Sequence, residues 1–427
     1  MLRQAFSFLW NNRHRNWWIM VELIVIAVVS WMVIDPLFVL EYNRFLPDGY
    51  DADGLYRLQL MRNREDTVST PADDYRRIMN GLRAHPSVDG ATCVLRGAYP
   101  SSPGMNANRI MQDTVKITAA YIPFFRNEDF FRVWHFRSAI DGTWQTLENL
   151  EVPDDGMILS EDAALALPGG KDIVGQYVRE AYGDSLSYRV VALMKPLKMR
   201  NGLQPSSVRL IPFVGDMPDW AFNGMRIFVR AKAGVSESRF MEELMQWADD
   251  NLTEGSLVFQ DFMPFYAIQD ASDLEKGVTN EVRTKYILAF FFLFNLLLAV
   301  SGTFWMNTRT RCEEMGVRLS YGATPARIQG MLLCEGLILT TVAVGVGCFL
   351  YLQWALCEGL YTFGELFAYE RRMVVTSDSY LPGHFLGHFL TVSLLVYAVM
   401  AVVTCLGVWL PARSISRMPP VEALREE

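Results

Sequence analysis

His384 and His388 lie four residues apart in "GHFLGHFL". That spacing stacks two imidazoles on one helical face, where they could share a divalent metal. No third ligand is evident nearby, so the pair reads as two histidines at a membrane interface. "PGGKDIVG", residues 168–175, has the glycines and lysine of a phosphate-binding loop. Such a loop also needs a glycine five residues before its last glycine and Ser or Thr after the lysine; this chain has Leu165 and Asp172 there. The stretch is therefore a turn between strands, and the chain has no loop for hydrolysing ATP by that route. Glu22, Asn295 and Glu335 are polar groups inside long apolar runs, where they are costly and usually face a bundle interior or a partner. Three are too few for an ion relay, and helix packing, or placement near a membrane boundary for the two glutamates, accounts for them. No Ser/His/Asp or Cys/His set has a recognisable local signature, so the sequence carries no sign of an enzyme.

"GVRLSYGATPARIQGMLLCEGLIL", residues 316–339, poses a different problem. A helix can run through "TRTRCEEMGVRLS" and stop where Gly322 supplies the left-handed conformation just past a helix end. Thr324 then fits an N-cap and Pro325 a first helical position. The result is a rigid elbow in which Thr324, Ala326 and Arg327 are exposed and Ile328 is an apolar anchor. Gly322, Ala323, Thr324, Pro325, Ala326, Arg327 and Ile328 form the candidate docking site, suited to receiving a mechanical push.

Long apolar helices must hold that elbow. The chain has 427 residues, 51% apolar and 13% aromatic, too greasy for an ordinary soluble protein and too polar for a pure membrane bundle. Four stretches reach the roughly 20 residues that span a bilayer: 17–40, 286–305, 331–352 and 389–410. Trp17, Trp18, Trp305 and Trp409 mark their ends, as interfacial aromatics do. The first stretch reads as an uncleaved anchor, because "VIDPLF" follows it in place of a small-residue cleavage site. Residues 1–16 read as an amphipathic helix with Leu2, Phe6, Leu9 and Trp10 on one face. Arg3, Arg13 and Arg15 before the first span, four basic residues in 306–329 and three in 411–427 place those segments in the cytoplasm by the positive-inside rule. Ala343, Gly345 and Gly347 offer small surfaces for close helix approach.

Residues 41–285 then lie outside, with 27 Lys+Arg against 35 Asp+Glu, a balance that argues against nucleic acid as a partner. They hold one cysteine, Cys93, so no disulfide framework is available to them. "GLYRLQLMR" alternates as a half-buried strand, and "TPADDYRRIMNGLRA" is a helix capped by Thr70, with Pro71 in its first turn and a stripe of Tyr75, Ile78, Met79 and Leu82. The order recurs in "MRIFVRA", a helix capped by Ser236, and "SLVFQ". Two strand–helix–strand units thus flank a middle region, which predicts a split α+β subdomain (about 50–100 and 205–265) holding an inserted β-rich subdomain (about 101–204). The whole is a membrane protein of four transmembrane helices plus a large α+β periplasmic domain. In order, it runs through a cytoplasmic helix 1–16, span 17–40, domain 41–285, span 286–305, cytoplasmic coupling segment 306–330, span 331–352, periplasmic connection 353–388, span 389–410 and tail 411–427.

"EEMGVRLSYGATPARIQGMLLCEGLIL" resembles the cytoplasmic loop and third span of FtsX/MacB-type ABC permeases, and "PARSISRMPPVEALREE" resembles their C-terminal pattern. "YIPFFRNEDFFRVWHFRS" and "MILSEDAALALPGGKDIVGQYV" are similar to segments of the MacB-type periplasmic domain, and the four-span layout covers the whole chain. The resemblance implies a permease of the bacterial inner membrane, N- and C-termini cytoplasmic, paired with a second copy or a sister permease and with a separate ABC ATPase that carries the ATP and magnesium. This chain would bind no cofactor itself. Closure of the ATPase moves the helices and the periplasmic domain, driving export of material already in the periplasm through an adaptor and an outer-membrane duct. Two alternatives stay open: a non-transporting FtsX-like regulator of a cell-wall hydrolase, and a LolC/LolE-like lipoprotein-releasing permease. Unlike MacB itself, the chain is expected to carry no fused ATPase domain.

Overall fold

The computed structural model describes residues 13–65, 69–102, 104–181, 186–309, 315, 317–318, 320–362 and 368–416. Residues 1–12 of the expected amphipathic helix and the C-terminal pattern beyond residue 416 lie outside the described residues. The chain divides into two compact units: Met1–Leu40, Asn280–Thr362 and Leu381–Glu427 form one, and Glu41–Thr279 with Phe363–Tyr380 form the other.

The first unit is helical. Its members are α1 (Arg13–Phe45), and the later helices Val278–Arg309, Pro325–Glu358 and Phe385–Ser416. Each contains a stretch long and apolar enough to cross a membrane. All four run well past the apolar stretches read from sequence, and the third starts at Pro325, so only the end of the coupling segment, residues 325–330, shares one unbroken helix with the third span. Backbone satisfaction explains the overrun: a helix that carries its own hydrogen bonds need not stop where apolar residues do. Trp31 lies fully buried, its ring stacked on Tyr351 at 4.2 Å and Phe389 at 5.3 Å. Gly347 brings the third of these helices so close to α1 that a Cβ there would sit 2.7 Å from the Ala27 Cβ. Ala343 is buried in the same contact, whereas Gly345 faces open space and takes no part in close packing. A buried hydroxyl pair, Thr340 and Thr404 at 2.9 Å, joins the third helix to the fourth.

The second unit contains two β-structures. A four-stranded antiparallel sheet has the order β10-β1-β9-β2, built from β1 (Leu55–Arg62), β2 (Val88–Val94), β9 (Met225–Ala231) and β10 (Leu257–Pro264). β1 sits between the two late strands, Leu58 facing Phe262 on one side and Ile227 on the other. Two helices accompany it, α2 (Pro71–Ala84) and α5 (Glu237–Asn251). The Thr70 hydroxyl accepts the Asp73 N–H at the start of α2, as the sequence predicts. Ser236 holds the corresponding place before α5, but its side chain makes no capping bond; its carbonyl accepts the Phe240 N–H instead. Tyr56, Leu58, Ile78, Leu82, Ile227, Phe240 and Leu244 share one apolar core.

Between these halves lies a closed barrel in the order β3-β4-β8-β5-β7-β6. Its strands are β3 (Ala107–Gln112), β4 (Val115–Phe124), β5 (Gly156–Ser160), β6 (Tyr177–Glu180), β7 (Ser187–Met194) and β8 (Val208–Pro212), with α4 (Glu161–Ala166) beside them, whereas α3 (Phe130–Trp134) packs against β2 and β9 of the sheet. β8 belongs to the barrel, so the return to the sheet comes after residue 212, not near 205. "PGGKDIVG" is a 3-10 turn, Gly170–Ile173, leading toward β6. Glu128 ties the sheet to α2: it accepts the Cys93 N–H at 2.6 Å, the Thr92 hydroxyl at 2.8 Å and the Tyr75 hydroxyl. Burial pushes both the Glu128 carboxyl and the Cys93 thiol up, leaving Cys93 an inert thiol.

The connection 353–388 is part helix and part strap. Residues 368–380 fold into the α+β unit. Met373 is fully buried in its main core, and its carbonyl accepts the Ser207 N–H at 2.8 Å. Glu370, 3% exposed, faces the Arg200 guanidinium at 3.4 Å and the Lys276 ammonium at 3.8 Å. Arg200 is itself buried and donates to Ser272 at 2.5 Å. Removing one partner of a buried ion pair costs about 3–5 kcal/mol because the other charge is stranded. Glu370→Gln should therefore lower the melting temperature of the α+β unit, read by circular dichroism. By the same logic fragment 42–285 should unfold cooperatively yet at a lower midpoint than the same fragment joined to 363–380. Coincident melting curves would show that the strap contributes nothing.

Candidate functional site

The elbow has the backbone its residues predict. Relabelling the long helices in chain order, α6 is Phe265–Glu275, α7 Val278–Arg309, α8 Pro325–Glu358 and α9 Phe385–Ser416. Gly322 has φ +87°, the left-handed region open to glycine at little cost. The Ala323 N–H closes back on the Arg318 carbonyl at 3.0 Å, which ends one helical path. Thr324 is extended (φ −74°, ψ 148°) and Pro325 opens α8. The Thr324 hydroxyl makes no capping bond; its carbonyl accepts the Arg327 N–H at 3.0 Å and the Ile328 N–H at 3.3 Å.

Side-chain placement sorts the seven candidate residues. Gly322, Thr324, Pro325, Ala326 and Arg327 are exposed, and Ala323 is half-buried. Ile328 is 2% exposed and packs with Met331 and Leu332, so it anchors the elbow to its own bundle and is not available to a partner. Tyr321 was not singled out by sequence, yet it stands out of the turn at 88% exposure. Its neighbour in "SYGAT" drew the reading, because glycine has a backbone signature and an exposed tyrosine has none. Tyr321, Arg327, Gly322 and Met331 line a hollow of about 310 Å³. Arg318 lines it too, its guanidinium 2.9 Å from the Met331 sulfur. The site offers an aromatic ring and cations over an apolar floor, suited to an anchoring side chain with a carboxylate nearby.

The polar groups inside the helices fall into two classes. Asn295 is exposed and donates to the Phe291 carbonyl of its own helix at 2.8 Å, and Glu335 is buried. Sequence reading passed over Asp35. Its carboxylate meets His388 Nε2 at 2.7 Å, and both side chains are out of contact with solvent, at 1% and 0% exposure. His384, by contrast, is exposed and precedes α9, so the two histidines do not converge on one ligand.

Comparison with known families gives two matches. Residues 23–246 match the MacB-like periplasmic core domain, and residues 286–420 match the FtsX-like permease C-terminal region. Among solved structures, the periplasmic region of MacB from Actinobacillus actinomycetemcomitans is similar at 12% identity, covering 55% of this chain and 97% of that one, with a TM-score of 0.34. The extracellular domain of a noncanonic ABC-type transporter, YknZ, from Gram-positive bacteria is similar at 14% identity, covering 48% of this chain and 100% of that one, with a TM-score of 0.27. No curated relative matches the chain.

The elbow geometry yields a local test. Valine at 322 would be forced into the left-handed region at a cost of about 1–2 kcal/mol, whereas asparagine tolerates it. Gly322→Val should loosen the turn and speed tryptic cleavage after Arg318 and Arg327, with Gly322→Asn close to wild type. Equal cleavage of all three proteins would mean that the positive φ is not needed to hold the turn.

Proposed function

The chain belongs to the ABC-transporter permeases that join a MacB-like periplasmic core domain to an FtsX-like permease region, and from that premise we propose that it transmits motion from a separate cytoplasmic ATPase to its periplasmic domain to drive export of periplasmic material. The observation that carries this reading is the elbow. A plain connector needs no left-handed break followed by a proline restart, and no ring and arginine held out over an apolar floor. Because α8 begins at Pro325 and runs to Glu358 without interruption, a displacement of the elbow moves the whole helix.

In this reading the elbow, the N-terminus and the C-terminus face the cytoplasm and the α+β unit faces the periplasm. The ATPase binds ATP and magnesium, and this chain contributes docking and leverage. Gly322, Ala323, Thr324, Pro325, Ala326 and Arg327 form the docking turn, with Tyr321 added from the structure and Ile328 holding the turn to the bundle. A second copy or a sister permease completes the complex, and an adaptor and outer-membrane duct receive the exported material.

Co-purification of the ATPase in detergent tests this. Arg327→Glu reverses a charge on the exposed turn, where contacts with a partner set orientation and encounter. Combined with Gly322→Val, it should reduce ATPase recovery about tenfold or more, equivalent to at least 1.4 kcal/mol, and abolish export, with membrane insertion unchanged. Wild-type recovery and wild-type export by the double variant would reduce the elbow to a connector.

A further inference from the structure

The buried Asp35–His388 pair has no task in the transmission reading, and its geometry carries an inference independent of it. His388 Nε2 lies 2.7 Å from Asp35 Oδ1, and His388 Nδ1 lies 3.2 Å from the Pro382 carbonyl oxygen. The other Asp35 oxygen accepts the Tyr361 N–H at 3.3 Å, and the Tyr351 hydroxyl faces the same carboxylate. The Tyr361 hydroxyl in turn donates to Glu281 at 3.3 Å. The Phe38 ring lies 5.6 Å from the imidazole.

A neutral imidazole has one N–H and one lone pair. Here both ring nitrogens face acceptors, a carboxylate and a carbonyl. With a single proton on the ring, a lone pair must point at an oxygen: at Pro382 across 3.2 Å, or at the carboxylate across 2.7 Å. A second proton removes the conflict, whether it sits on Nε2 or is shared with Asp35 Oδ1. It also brings the pair to zero net charge, which matters because an uncompensated buried carboxylate is costly. Glu281, reached through Tyr361, adds negative charge that favours the same state, and His384, one turn before His388, is exposed.

We propose that Asp35 and His388 form a proton-binding site whose proton holds the outer part of α1 against the start of α9. Four elements converge on it: Asp35 from α1, Glu281 from α7, Tyr351 from α8 with Tyr361 just beyond it, and His388 from α9. If α1 and α9 part, the carboxylate and the imidazole separate and the extra proton leaves. The joined arrangement therefore holds one more proton than the separated one, and acidification favours joining.

Nitrogen-15 NMR of the full-length chain in lipid nanodiscs, labelled at its five histidines, counts the protons directly. His388→Gln assigns the signals. At alkaline pH both His388 nitrogens should be of the protonated type, and Asp35→Asn should abolish this. One protonated and one bare nitrogen on His388 under those conditions overturns the proposal. Should Asp35→Asn fail to insert, the wild-type comparison of His388 with His384 still decides. A second reading follows melting temperature against pH. The margin of wild type over His388→Gln should shrink as pH rises through neutrality, and a margin independent of pH also overturns the proposal.

Discussion

Within hydrocarbon a backbone N–H has no partner except the carbonyl of its own helix, and each one left unmet costs several kcal/mol. Much of this molecule depends on that constraint. It makes the segments of the helical unit continuous rods of 32 to 34 residues, where about 20 would cross the bilayer. At 1.5 Å per residue such rods are about 50 Å long. A rod that cannot fray inside the membrane can carry a displacement along its length. Among the described residues, breaks fall where polar backbone can be met otherwise, as at the elbow Gly322–Thr324, the strap around Glu370 and the Leu381–Gly383 turn.

The α+β unit answers a different constraint. A sheet must bury one face, and β1 cannot do so without β9 and β10, which arrive more than 160 residues later. The barrel occupies the intervening sequence and closes on itself, which removes its edges. The strap draws on a third region of sequence, through Glu370 opposite buried Arg200 and Met373 in the main core. Three distant stretches thus complete one unit, and a stretch between two spans is part of it.

The elements with a local physical signature were readable from sequence. Four apolar runs gave the helices. Alternation and a Thr70–Pro71 cap gave β1 and α2, and the echo of strand, helix and strand placed the split domain. Gly322 and Pro325 gave the elbow because a left-handed turn and a first helical turn each prefer a residue type. What was not readable depends on pairing across the chain. Nothing near Glu370 in the sequence announces a buried arginine 170 positions away. Asp35 has no partner near it in the sequence, its histidine lying 353 residues on. Tyr321 carries no local signature of its exposure, and Ile328, read as an apolar anchor, is buried because its helix start meets the bundle.

The central claim is that motion at the elbow is delivered into the α+β unit. Hydrogen-exchange mass spectrometry on the permease reconstituted with its ATPase, with and without a trapped nucleotide, tests it most directly. The account predicts altered exchange in the strap at 368–380 and in the strands it packs against, far in sequence from any residue of the elbow. Differences confined to the elbow and the adjoining helix ends would contradict it.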